Sequence, residues 1–106
     1  MQVYKTDDLI GGWFIGQFDG AVFKTSACEV SYKQHHANEK LAAHYHKAAD
    51  EINYLISGSM SMGEQRLDAP CIFVVPKGEV AYPEFYTDVS LIVVKVPGAL
   101  NDKYCI

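Results

Sequence analysis

Two histidines spaced i and i+2, His44 and His46, are followed by Glu51 and then by Gly58. On an extended strand, side chains at i and i+2 leave the same face, so two imidazoles are presented together. Glu51 opens the next extended segment, across a short polar turn from Lys47 to Asp50. With those two segments as neighbours, its carboxylate converges on the imidazoles. Two neutral imidazoles and one carboxylate are a ligand set for a divalent transition metal such as Zn, Fe, Mn or Ni. The same groups suit metal-free proton transfer, because histidine titrates closest to neutrality.

The run His44-x-His46, Glu51 and Gly58 resembles the first motif of the cupin superfamily, H-x-H-x3,4-E-x6-G. Asn38 stands where that pattern places a glycine ahead of the histidines. Pro76-Lys77-Gly78 is similar to the P-x-G of the second cupin motif. There Pro70 replaces the leading glycine, and Ala81 replaces the histidine that usually serves as fourth metal ligand. The resemblance extends from about Cys28 to Val96. It implies a double-stranded β-helix, or jelly-roll, with the site in the barrel mouth. It also implies metal held by His44, His46 and Glu51, with the position opposite Ala81 left to water or substrate. Metal-free relatives in the superfamily, the nucleotide-sugar epimerases and keto-isomerases, use a barrel histidine as base and a tyrosine as acid. In this chain His44 or His46 takes the first role and Tyr32 or Tyr82 the second.

The segments that must position these groups are short and β-like. Met1 to Gly20 is rich in turn residues around Gly12-Trp13-Phe14-Ile15, a short edge strand in which Trp13 covers a barrel end or a subunit contact. From Ala21 to His36 the period is two, with Cys28, Val30 and Tyr32 alternating with Glu29, Ser31 and Lys33. The apolar set is read as the inner face, and in that phase Gln34 and His36 become pocket residues while His35 points out. Glu51 and Asn53 share one face of the next strand, and Ile52, Tyr54 and Ile56 form an apolar stripe on the other. If Glu51 points inward, Asn53 joins the pocket, the interior is wet and the outside greasy. Cys71 to Val75 and Val89 to Val96 are the most apolar strands. Pro83 interrupts the run from Val80 to Phe85 and, as a bulge, re-aims Tyr82 toward the pocket.

Short strands, frequent Gly, Pro and Asp turns, and no helical periodicity describe an all-β sandwich or barrel. The 106 residues are read as a single domain, with an N-terminal edge segment 1–20, a barrel 21–96 and a C-terminal tail 97–106. A formal charge of −4 without any Lys or Arg run excludes nucleic acid and anionic membrane as partners. No apolar stretch has the length of a membrane span and no signal-peptide pattern opens the chain, so a cytoplasmic protein is expected. The 3 cysteines, Cys28, Cys71 and Cys105, lack metal-site or redox spacing and read as reduced thiols. The greasy outer stripe predicts a homodimer. Three functions fit: a metal-dependent protein that binds or transforms a small polar metabolite, sugar- or keto-acid-like; a metal-free sugar isomerase or epimerase; and a non-catalytic ligand-binding module.

Overall fold

The computed structural model describes all 106 residues. Alternating side-chain character and closely spaced turn residues give ten strands and one 3-10 turn, Thr6–Asp8. The strands are β1 (Trp13–Ile15), β2 (Glu29–His35), β3 (His44–Tyr45), β4 (Asp50–Ser57) and β5 (Ser59–Met62). They continue with β6 (Gln65–Asp68), β7 (Cys71–Val75), β8 (Pro83–Phe85), β9 (Val89–Val96) and β10 (Tyr104–Cys105). The all-β expectation is met. No helix is long and apolar enough to cross a membrane.

Three antiparallel sheets form: a five-stranded one in the order β1-β2-β9-β4-β7, a three-stranded one in the order β6-β5-β8, and the pair β10-β3. The first two supply one core. Leu55 on β4 and Val89, Leu91 and Val93 on β9 meet Met60, Leu67 and Phe85 from the smaller sheet, all buried. Each such side chain contributes about 1.5–3 kcal/mol by leaving water.

The inner face of the large sheet changes character row by row. Cys71, Leu55 and Leu91 lie side by side in one register row, with Lys33 next to Leu91. One step along, the row is Phe73, Asn53, Val93 and Ser31; another step gives Val75, Glu51, Lys95 and Glu29. The packed core thus grades into a charged floor. Outside, the rows run Val30–Val94–Ile52–Val74 and Tyr32–Ile92–Tyr54–Ile72, apolar across four strands. Tyr54, Ile72 and Val74 on this face are exposed.

Strand β2 therefore faces opposite to its sequence reading. Glu29, Ser31 and Lys33 are on the inner side, and His35 stacks on the buried Phe85 with ring centroids 4.5 Å apart. The alternation is as read, but the polar set lines a cavity and the apolar set continues the outer rows through β9. The C-terminal segment is also more than a tail. Tyr104 and Cys105 pair with Tyr45 and His44, so residues 99–103 are drawn across the cavity mouth.

Candidate functional site

Between the sheets lies a cavity of about 460 Å³, a volume suited to a small metabolite. Its chemistry comes from His44 and His46 at the β3 end, Glu51 and Asn53 on β4, and three lysines, Lys33, Lys95 and Lys103.

Each motif residue has a local reason for its position. Gly58 ends β4 at φ 93, and a Cβ there would stand 2.2 Å from the Asp88 carbonyl oxygen, so only glycine passes. Asn38, at the place of a family glycine, adopts φ 65, the left-handed region that asparagine tolerates better than most residues. Gly78 of the P-x-G turn donates its N–H to the His46 carbonyl at 2.7 Å, and Asp50 accepts the Lys77 N–H at 2.9 Å. The segment after His46 is held from the other end of the chain. Asp102, itself buried, accepts the N–H groups of Lys47, Ala48 and Ala49 at 3.0–3.2 Å. Burial pushes its carboxyl up, but the three backbone donors together outweigh this and hold it below the usual carboxylate range.

The two imidazoles lie edge to face, with centroids 5.3 Å apart. His44 Nδ1 is 3.2 Å from the Ala42 carbonyl. A carbonyl only accepts, so Nδ1 carries the hydrogen and Nε2 of the neutral ring is the proton acceptor. His46 is 3% exposed, and its pKa falls to about 4 through burial first, then through Lys95 and His44. It is neutral at physiological pH. Burial pushes Glu51 up against the opposing pull of His44, Lys95 and the nearby Asn53 amide.

These donors do not add up to a metal shell. His44, His46 and Glu51 share the cavity, yet no three His, Cys, Asp or Glu side chains stand close enough together to hold a metal ion. Ala81 lies directly beside His44, joined to it by two backbone hydrogen bonds, and is 1% exposed. The methyl group occupies the wall where a fourth ligand would project.

Four residues expected at the pocket lie elsewhere. Tyr32 and Gln34 are on the outer face of β2, where the Gln34 amide donates to the Tyr32 hydroxyl at 3.2 Å. His36 lies beyond the strand with its side chain 89% exposed. Tyr82 is 53% exposed, because Pro83 keeps the alternation in phase and only Ala81, Pro83 and Phe85 turn inward. No tyrosine lines the cavity, which removes Tyr32 and Tyr82 as acids. Conversely, Glu29, His35, Lys33, Lys95, Lys103 and Asp102 were not anticipated there. Lys33 and Lys95 sit on the same alternation as Glu29 and Glu51, the one signal that pointed inward.

No protein-family model matches the chain, and no curated protein matches its sequence. Solved structures do. An uncharacterised conserved protein with a double-stranded β-helix domain from Klebsiella pneumoniae superposes with a TM-score of 0.66 at 19% identity, over 96% of this chain and 93% of that one. KdgF from Halomonas sp. gives 0.63 at 21% identity, over 71% and 74%. A cupin protein from Bacteroides fragilis gives 0.59 at 17% identity, over 76% and 74%. At such identities the likeness establishes the fold.

Proposed function

We propose that this chain, whose fold is the double-stranded β-helix of the cupin superfamily, binds and transforms a small polar metabolite, sugar- or keto-acid-like, in the cavity between its sheets. The observation that carries this reading is the His44 Nδ1–Ala42 hydrogen bond, which leaves Nε2 as a base at the cavity wall. Glu51 lines the same cavity from β4. The chemistry that fits is proton transfer beside a carbonyl. His44 Nε2 takes a proton from the carbon next to the carbonyl, and the Glu51 carboxyl gives one to the carbonyl oxygen. The enol that results collapses with the roles reversed: Glu51 takes the hydroxyl proton and His44 returns a proton to carbon, which by then has exchanged with solvent. Glu51 takes the acid role that the tyrosines were expected to fill. As they stand the donors do not fit a metal shell, and no step here uses one.

The test is solvent exchange. Keto acids and ketoses are incubated with the protein in D2O and excess chelator, and deuterium at the carbon beside the carbonyl is read by NMR. Wild-type protein is expected to exchange at least one of them, and His44→Ala and Glu51→Gln to lose the exchange. A chain that exchanges none, or a His44→Ala variant that exchanges as well as wild type, sinks the reading. The apolar outer rows support a second element of the proposal, that the chain works as a homodimer.

A further inference from the structure

Three lysines, Lys33, Lys95 and Lys103, line the cavity, and only one of them meets a carboxylate at ion-pair distance. Lys95 meets Glu29 at 3.9 Å, with both side chains nearly buried. Asp102 spends its carboxylate on three backbone N–H groups. Lys33 and Lys103 remain without a carboxylate partner, although both line the cavity. Lys33 is capped only by the Gly11 carbonyl and lies 4.8 Å from the Trp13 ring centre, with Lys95 5.0 Å from the same ring. Trp13 thus anchors two ammonium groups in one wall. Lys33 is held below the usual lysine value by burial and then by Lys103 and Lys95, against the opposing pull of Glu51, so three cations share one region.

A second observation is independent of charge. Asn53 is 3% exposed and lines the same cavity, and its Nδ2, although close to the Glu51 carboxyl, has no partner within hydrogen-bond distance. A buried amide donor left unmet costs about 1–3 kcal/mol. In a cavity of this size a bound ligand or an ordered water can supply the missing acceptor. Unpaired ammonium groups and an unmet N–H are all donors. What they lack is an acceptor oxygen at hydrogen-bond distance, and beside ammonium groups an anionic one is favoured.

We propose that the cavity is built for a small oxyanion ligand, whose charged oxygens are held by Lys33 and Lys103 and which accepts a hydrogen bond from Asn53 Nδ2. This deepens the proposed function, resting on its choice of cavity, and narrows the metabolite from polar to anionic. A small organic acid and a small phosphate ester share the required chemistry.

The experiment is a titration of 15N-labelled protein with acetate, pyruvate and inorganic phosphate at constant ionic strength, with acetamide as the neutral match of acetate. The Asn53 side-chain amide signal is expected to move saturably with the anions and not with acetamide. Whether acetate and pyruvate or phosphate binds more tightly tells the organic acid from the phosphate ester. Lys103→Met, at the exposed mouth, and Lys33→Met are each expected to weaken binding about tenfold, the loss of one charge-assisted contact. No saturable shift with any anion, acetamide binding as tightly as acetate, or wild-type affinity in both lysine variants overturns the proposal. Saturable binding without deuterium exchange leaves the anion site standing and sinks only the catalytic reading.

Discussion

Ala81 lies directly across the backbone from His44: the His44 N–H donates to the Ala81 carbonyl at 3.1 Å, and the Ala81 N–H returns the bond at 2.6 Å. In the cupin pattern the position of Ala81 carries the fourth metal ligand, and here it carries a methyl group facing the cavity.

Ala81→His restores an imidazole to that wall, next to two others already facing each other. Zinc affinity, measured by calorimetry on tag-free protein, is expected to rise at least tenfold over wild type, or about 1.4 kcal/mol. Because Ala81 is 1% exposed, the larger ring costs about 1–3 kcal/mol of stability. An Ala81→His variant that binds zinc no better than wild type shows that His44 and His46 are not aimed at a common point.

Asp102 ties the C-terminal segment to the backbone that follows His46. Asp102→Ala strands three N–H groups and is expected to cost on the order of 3 kcal/mol, read as a lowered denaturation midpoint. The pH dependence has a definite sign. A carboxyl held low in the folded chain binds its proton more readily when unfolded, so its contribution is complete above the unfolded value of about 3.9. That contribution is lost as pH falls through the lower folded value. Wild type should therefore lose its advantage over Asp102→Ala as the pH drops below about 4, and a constant gap across that window would contradict the role given to the carboxylate.

Strands β4 and β2 show what could and could not be read from residue order. Both alternate with a period of two. On β4, Glu51 marks the inward face, and Asn53 and Leu55 follow it into the cavity and core. On β2 the usual apolar-inward rule puts Gln34 and His36 in the pocket and leaves Lys33 and His35 out, the reverse of what the structure shows. Periodicity tells which residues share a face but not which face is covered, and a barrel with a wet interior inverts the usual rule. The β-sheet class, the turns at Gly58 and Gly78 and the pairing of two imidazoles were all legible in local pattern. The lysine cluster was not, since a lysine in a strand reads as solvated. Its meaning emerges only when β9 brings Lys95 between Glu29 and Glu51. Nor was the role of Tyr104 and Cys105, because a two-residue strand carries no period.

Gly58 closes β4 where the chain doubles back against Asp88 and Thr87. Gly58→Ala meets both a positive φ of 93 and a backbone oxygen 2.2 Å from the new carbon. Neither obstacle is a flexible side chain, so the variant is expected to lose more than about 2 kcal/mol. Gly63→Ala is the control, also at positive φ, 61, but with open space around its Cβ. It should lose only about 1 kcal/mol. Equal losses, measured by urea unfolding, would mean that the close approach to Asp88 is not what demands glycine.

Strand β7 ends the large sheet, and the outer apolar rows run to that open edge through Ile72 and Val74. Its sequence Cys71-Ile72-Phe73-Val74-Val75 carries no charge to discourage pairing. In the proposed homodimer, a second copy of the chain related by a two-fold axis would cover both the edge and the rows with the same residues it presents, as an isologous contact requires. Sedimentation equilibrium is expected to give a dimer for wild type and a monomer for the double variant Ile72→Glu, Val74→Lys. Both substituted side chains are exposed in the single chain, so far-ultraviolet circular dichroism of the variant should be unchanged. A wild-type protein that remains monomeric at high concentration removes the homodimer and leaves the apolar rows as a solvent-facing surface.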